Sequence, residues 1–290
     1  MKKIKNLLRR IYTINIIYSN NIIFIHRKNT KNIGDLNCCP NKYFDELSKY
    51  KSIDIMDLQN INIKIKNKIL IVGGGGLFQP YFEDAIKTLE KLSLENKIIY
   101  WGTGIDKNIQ GETINLDFLN KSSLIGIRDK NTKYDFVPCP SCMSKLFDKY
   151  SNAKKSNKII FYLHKDYTKS YINHIKEFPL ITNSDKKTFE EIIKYLSSSD
   201  VIITNSYHGA YWGCLLNRKV IVLPWIDEKG RKWLPYKIKQ IPFQYSFCEN
   251  INDINNFINR DINNTEALNF ARTKNKIFFN KVMNFIKTYN

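Results

Sequence analysis

The sequence predicts an α/β protein built from two Rossmann-like domains facing a cleft. Three observations carry that reading. Short β-branched runs recur along the chain, alternate with helix-spaced segments and end in glycine or charged residues, as buried parallel strands do. A polar stretch from Tyr150 to Lys158 breaks the pattern, and a new strand-led half begins at Ile159. Val201–Trp225 reads as one complete β-α-β unit. The expected division is therefore residues 1–152 and 153–290, the second half carrying a long C-terminal helix.

Composition narrows the partners. The chain has 290 residues, 43% of them hydrophobic, which is globular rather than disordered. A formal charge of +19 favours phosphates, acidic sugars or anionic lipid surfaces. No RRM, helix-turn-helix or zinc-finger pattern is present, so nucleic acid is not expected as a partner. Nothing resembles a secretory signal, which makes a cytoplasmic chain with reduced cysteines the expectation. No uncharged apolar run is long enough for a transmembrane helix.

The elements follow in order. In residues 1–12, Ile4, Leu7, Leu8 and Ile11 recur at helical spacing with Lys and Arg opposite. We read this stripe as covering the protein's own core; the alternative is peripheral contact with an anionic membrane on the inner face of the cytoplasmic membrane. Ile22–Ile25 is a strand leading to the loop Asn32-x-Gly34-Asp35, where a flexible glycine and a carboxylate follow a strand end. Asp35 suits a ligand loop and equally a helix cap. Ile53–Met56 is a further short strand. Ile69–Val72 is a buried strand followed by Gly73-Gly74-Gly75-Gly76, which would let backbone approach a ligand and offer N–H groups to an anion. A helix is expected over 82–94, then strand Ile98–Trp101 before Gly102-Thr103-Gly104, then strand Leu124–Ile127 before Arg128.

Cys139-Pro140-Ser141-Cys142 holds a single CxxC, half of a zinc site. Cys38 and Cys39 would complete four ligands if folding gathered them; inert buried thiols are the preferred reading. In the second half, Ile159–Leu163 and Pro179–Thr182 are strands, and 170–176 and 187–196 are helices. Val201–Ile203 and Val220–Leu223 bracket a helix whose Gly209, Ala210 and Gly213 allow close packing on a sheet. Thr204, Asn205 and Ser206 supply cap chemistry, and His208 stands at the strand-to-helix turn, where open parallel sheets bind ligands. A buried histidine bonded to a neighbouring carbonyl would explain His208 equally well. Residues 227–239 form a basic, aromatic loop, and 265–289 a long helix with apolar Leu268, Phe270, Ala271, Ile277, Phe278, Val282, Phe285 and Ile286.

The order Asn32-x-Gly34-Asp35, Gly73-Gly74-Gly75, Gly102-x-Gly104, Arg128 and Ser206-Tyr207-His208-Gly209 resembles the polysaccharide pyruvyl transferase family, from about residue 30 to residue 225. The resemblance implies a fold similar to GT-B glycosyltransferases. It implies transfer of the enolpyruvyl carbons of phosphoenolpyruvate to a sugar of a surface polysaccharide or its lipid-linked precursor, with no cofactor. The alternative is a GT-B-type glycosyltransferase using a nucleotide-sugar donor on a glycan acceptor; a non-catalytic glycan-binding scaffold is the third reading. Two positions depart from the family pattern. Ser206 stands where an arginine normally precedes the histidine by two residues, and Cys139 where many members carry aspartate before the proline. The missing arginine leaves the donor open; Arg128, Lys165, Arg218, Lys219, Arg231 or Lys232 would have to substitute.

Ketal formation assigns the roles. His208 at a helix start is expected to be neutral, suited to act as a base or to donate to phosphate. Asp35 is the second proton-transfer group. Arg128 would grip a carboxylate or phosphate through paired hydrogen bonds. Asn32, Gly34, Gly74, Gly75, Gly102, Gly104, Ser206 and Gly209 complete the expected substrate-binding set.

Overall fold

The structure, a computed structural model, describes residues 2–60, 65–107 and 110–289. It divides into two compact units: Met1–Thr30, Asp35–Ser141 and Lys274–Asn290 in the first, Lys31–Gly34 and Cys142–Thr273 in the second. The junction thus falls between Ser141 and Cys142 rather than after residue 152. The C-terminal helix, Ala267–Tyr289, is not a feature of the second unit alone, because residues from Lys274 onward count with the first.

The first unit is built on a parallel sheet of β1 (Ile22–His26), β2 (Ser52–Asp54), β3 (Ile69–Phe78), β4 (Lys97–Ile105), β5 (Leu124–Ile127) and β6 (Asp135–Phe136), ordered β2-β1-β3-β4-β5-β6. The expected strands are present, except that the one expected over Ile53–Met56 is Ser52–Asp54 with a 3-10 helix beginning at Ile55, and two strands are longer than their apolar runs. β3 continues through all four glycines, pairing Gly73 with Trp101 and Gly75 with Thr103, with an irregularity between Gly75 and Phe78. Gly73 and Gly75 are therefore residues of a ladder rather than of an open loop. Cys38, Cys39 and Pro40 occupy the space that side chains on Gly73 and Gly74 would need. A Cβ on Gly74 would stand 2.5 Å from the Cys38 Cβ and collide with the Cys38 carbonyl, and one on Gly73 would stand 2.7 Å from Pro40 Cδ. The close backbone approach read from the glycine tract is made, at these two positions, by the chain's own Cys38–Pro40 segment.

Trp101, fully buried, donates through Nε1 to Asn275 Oδ1 at 2.9 Å, and Asn275 Nδ2 donates to the Pro138 carbonyl at 3.1 Å. A buried amide with both ends satisfied fixes the register of the C-terminal helix in this unit. Phe279 stacks on Phe44 at 4.5 Å, and Phe278 packs where Gly126 lacks a side chain. Of the apolar positions expected on that helix, Ala271, Phe278, Val282 and Ile286 are buried, whereas Phe270 and Ile277 are exposed.

The first helix, Lys2–Ser19, contradicts the preferred reading of its stripe. Ile4, Leu7, Leu8 and Ile11 are 62, 58, 60 and 47% exposed, while Thr13, Ile16 and Ile17 are the buried residues. The inward face belongs to the next turns of the helix, beyond the segment where the spacing was read.

The second unit has a five-stranded parallel sheet of β7 (Asn157–Leu163), β8 (Leu180–Thr182), β9 (Ser199–Thr204), β10 (Lys219–Val222) and β13 (Ser246–Phe247), ordered β13-β10-β9-β7-β8; β11 (Trp225–Ile226) and β12 (Lys232–Trp233) form a small antiparallel pair. Phe161, Leu163, Val201, Ile203, Ile221 and Leu223 fill its core with Tyr171 and Cys248. Helix Phe189–Ser197 opens on a capping box in which Thr188 and Glu191 satisfy each other's backbone donors. Helix Tyr207–Leu215 lies close on the sheet because Gly209 and Gly213 leave room for Tyr162 and Val220. Asn217, with φ 51°, ends it in the left-handed position and lets Arg218 N donate to the Gly213 carbonyl. The helix expected over 170–176 is only the 3-10 turn Ile172–His174: the Tyr171 hydroxyl is tied to the Pro224 carbonyl at 2.6 Å, and Pro179 follows closely. The basic stretch 227–239 contributes β12 and the short helix Tyr236–Lys239.

Gly74→Ala is expected to destabilise the protein by about 1–3 kcal/mol, the ordinary cost of overpacking, because the added methyl meets backbone rather than a flexible side chain. Thermal denaturation checks this; an unchanged melting temperature would remove the packing role given to the Cys38–Pro40 segment.

Candidate functional site

Open parallel sheets bind ligands beyond their strands' carboxyl ends, where the strand order reverses. In the first unit the reversal lies between β1 and β3, since the chain goes from β1 to β2 on one side and returns to β3 on the other. Asp35 follows β1, the glycine tract forms the end of β3, and Arg128 directly follows β5.

These residues gather in the first unit. The Asp35 Oδ1 lies 3.7 Å from where a Cβ on Gly75 would stand, and Gly75 takes a φ of 86°, accessible to glycine at little cost. The Arg128 guanidinium fills the space that side chains on two glycines would need. Its Cζ is 2.8 Å from the Cβ position of Gly104, and its Nη2 is 3.2 Å from that of Gly76. Arg128 is 2% exposed, so a full positive charge is held at the ends of β3 and β4. Gly102, at φ 67°, instead makes room for Pro140, whose Cδ is 2.8 Å from its Cβ position. Beside Arg128, the fully buried Asp129 accepts from Ile105 N at 2.7 Å. Burial raises its carboxyl to about 6 against the opposing pull of Arg128, and its Oδ1 has no hydrogen-bond partner among the described residues.

In the second unit the order reverses between β7 and β9. His208 stands in the first turn after β9, with Ser206 at the N-cap position. Ser206 makes no side-chain cap bond; its own N–H donates to Thr204 Oγ1 at 3.0 Å, and that hydroxyl donates to the Tyr162 carbonyl at 2.5 Å. The His208 ring packs on Gly34, where a Cβ would stand 2.5 Å from Cγ, and beside Trp212 at 4.9 Å between ring centres. Gly34 N donates to Asn32 Oδ1 at 3.0 Å, a turn that presents the bare backbone of Gly34 to the imidazole. The neighbouring Ile33 N donates to the Asn183 carbonyl at 2.9 Å and pins the loop. Asn32, Gly34, Ser206, His208 and Gly209 thus assemble within this unit. Gly209 serves the packing of Tyr162 and Thr204.

Several important residues were given no site role from sequence, and Asn205 was expected only to supply cap chemistry. Asn205, fully buried, accepts from His164 N at 2.7 Å through Oδ1, and its carbonyl accepts from Trp225 Nε1 at 2.6 Å. It ties β7, β9 and β11 together at the reversal. His164 sits at the same edge within a group formed by Tyr167, Trp225 and Trp233, with Tyr167 stacked on Trp225 at 4.0 Å. In the first unit, Asp54 accepts from Arg27 at 2.6 Å, Lys28 N at 2.7 Å and Asn29 N, holding the loop after β1. Asparagine or aspartate just past a β-branched run was the available signal, but it equally marks ordinary turns.

The suggested substitutes for the missing arginine separate clearly. Arg218 is a structural residue: it is buried and donates to the carbonyls of Ser197, Leu216 and Ser151. Arg231 pairs with Asp227 at 2.6 Å, and Lys219 donates to the Ile258 carbonyl at 3.3 Å. Lys165 is exposed and pairs loosely with Asp166 at 3.7 Å. Arg128 is the member of the set held at a strand-end cluster of glycines. All six cysteines are buried free thiols. Burial pushes the Cys39 thiol up to about 12 and raises Cys38 and Cys139 as well, and Cys139 Sγ lies 3.3 Å from Ser141 Oγ. Among the described residues no three His, Cys, Asp or Glu side chains gather into a metal site.

Two parallel sheets, each with a reversal in strand order, define a GT-B-like α/β fold. The chain belongs to the polysaccharide pyruvyl transferase family, whose sequence profile matches residues 3–228. Among solved structures, it is similar to a functionally uncharacterised protein from Klebsiella pneumoniae subsp. pneumoniae NTUH-K2044, at 17% identity and TM-score 0.50, over 84% of this chain and 98% of that one. It is also similar to UDP-GlcNAc 2-epimerase from Methanocaldococcus jannaschii, solved with UDP-GlcNAc and UDP, at 11% identity and TM-score 0.50, over 91% of this chain and 99% of that one. At such identities the likeness shows the fold alone. No curated protein matches the chain significantly.

Burial lowers two histidines, His26 to about 4 and His164 to about 3; the Asp35 carbonyl beside His26 opposes the shift, and Lys237 near His164 adds to it. Both imidazoles stay neutral in the folded chain, whereas the unfolded chain takes up protons near 6.5. Their contribution is therefore complete above pH 6.5 and is lost as pH falls toward 4, by up to about 3 kcal/mol for His26. Asp129 acts oppositely between about 6 and 3.8, offsetting part of the loss. Denaturant melts at pH 7.5 and 5 are expected to show lower stability at pH 5, and His164→Gln is expected to shrink that difference. Equal stabilities of the wild-type chain at the two pH values would contradict the assignment.

Proposed function

We propose that the protein transfers the pyruvyl carbons of phosphoenolpyruvate to a sugar of a cell-surface polysaccharide or its lipid-linked precursor. The observation that carries this reading is the buried Arg128 guanidinium, lodged where Gly76 and Gly104 lack side chains. A buried cation among the family's glycines suits a small, multiply charged anion, and its fork matches a carboxylate or phosphate. In the reaction, the methylene carbon of the donor gains a proton and one sugar hydroxyl adds to the adjoining carbon. Inorganic phosphate then leaves that carbon, and a second hydroxyl closes the ketal. One hydroxyl proton balances the new methyl group and the other leaves with phosphate. Asp35 and His208 are the residues assigned to these proton transfers, and Arg128 to holding donor charge, where preorganised charge lowers the barrier most.

Ser206, in the place of the family's arginine, favours a second reading, a glycosyltransferase using a nucleotide-sugar donor. A thermal-shift series with phosphoenolpyruvate, CMP, UDP and GDP separates the two. Stabilisation by phosphoenolpyruvate, reduced about tenfold or more in apparent affinity by Arg128→Gln, is the expected result, since one charge-assisted contact is worth ~1.5–3 kcal/mol. His208→Gln is expected to keep donor binding and lose transfer. A shift with a nucleotide and none with phosphoenolpyruvate would overturn the first reading in favour of the second.

A further inference from the structure

Over Ile4–Ile11 the outward face of helix Lys2–Ser19 is apolar, and these side chains stay exposed among the described residues. At 100° per residue, Ile4, Leu7, Leu8, Ile11 and Tyr18 fall within one sector, and all five are exposed, Tyr18 at 67%. Thr13, Ile16 and Ile17 fall on the opposite side and are buried. The inward side is anchored twice, by Thr13 Oγ1 donating to Asp57 at 3.3 Å and by Arg9 paired with Asp57 at 2.7 Å. The helix is therefore held by one face while the other offers large aliphatic side chains to solvent, where soluble proteins seldom place a contiguous group of them.

Charge identifies what covers that face. Besides the Arg9 that pairs with Asp57, the helix sequence contains Lys2, Lys3, Lys5 and Arg10 and no acidic residue. Lys28, from the loop beyond β1, adds its ammonium 5.2 Å above the Tyr12 ring. A second copy of the chain would oppose the same cations to themselves. An anionic lipid surface satisfies both features at once, taking the aliphatic side chains into the headgroup boundary and the cations against phosphate. The chain has no described helix long and apolar enough to cross a membrane, so the contact is one of lying on the surface. We propose that helix Lys2–Ser19 is a membrane-surface anchor that seats the protein on anionic lipid through Ile4, Leu7, Leu8 and Ile11. The anchor is independent of which donor the enzyme uses.

The test is sedimentation of the full-length protein with vesicles of phosphatidylglycerol and phosphatidylcholine in equal parts, against vesicles of phosphatidylcholine alone. The wild-type protein is expected to pellet with the anionic vesicles and to be partly released by high salt. The double variant Leu7→Glu/Leu8→Glu is expected to bind about tenfold or more weakly, with an unchanged melting temperature because both positions are exposed. Failure of the wild-type protein to pellet, or equal pelleting of the variant, would overturn the proposal. A wild-type dimer in light scattering that becomes monomeric in the variant would assign the face to a second copy and overturn it as well.

Discussion

The burial of Arg128 is the constraint around which the first unit is arranged. A guanidinium keeps its charge in any folded environment, so removing it from water requires compensating polar groups and room for a wide planar head. The room comes from Gly76 and Gly104, on adjacent strands, neither of which has a side chain to contest it. The neighbouring strand-end residues then follow. Asp129 is buried with Arg128, Gly75 adopts a backbone angle suited to glycine, and Cys38–Pro40 packs into the grooves that Gly73 and Gly74 leave open.

The second unit solves a related problem with an imidazole in place of a guanidinium. Gly34 lies against the His208 ring and Gly209 lets the helix bearing it approach Tyr162. Asn205 and Asn183 hold the strand ends on either side: their side-chain oxygens accept from the backbone N–H groups of His164 and Lys165, and the Asn205 carbonyl accepts from the Trp225 indole. Glycine appears at each of these positions because a polar head and a backbone must share the space of one side chain.

Much of this was legible in the sequence. β-branched runs gave the strand positions and the two-sheet class, since buried parallel strands must be apolar on both faces. The motif order named the family, and of its glycines Gly104 lies against Arg128 and Gly34 against His208. Three things were not legible. The glycine tract reads as a ligand loop because sequence does not reveal that Cys38–Pro40 fills the gaps at Gly73 and Gly74. Arg218 reads as a free cation because two of its three carbonyl partners, Ser197 and Ser151, are distant in sequence. The stripe at Ile4–Ile11 shows correct helical spacing, but spacing says nothing about which face is covered, and burial begins only at Thr13.

The chain's path between its two units carries a practical consequence. Residues 31–34 count with the second unit although they follow β1, and residues from Lys274 onward return to the first. No single scissile position yields two self-sufficient fragments. A polypeptide ending at Ser141 would lack the amide that Trp101 bonds and the ring that stacks on Phe44, exposing an apolar wound along its sheet. Any attempt to exchange halves between relatives must therefore transplant four crossings rather than one.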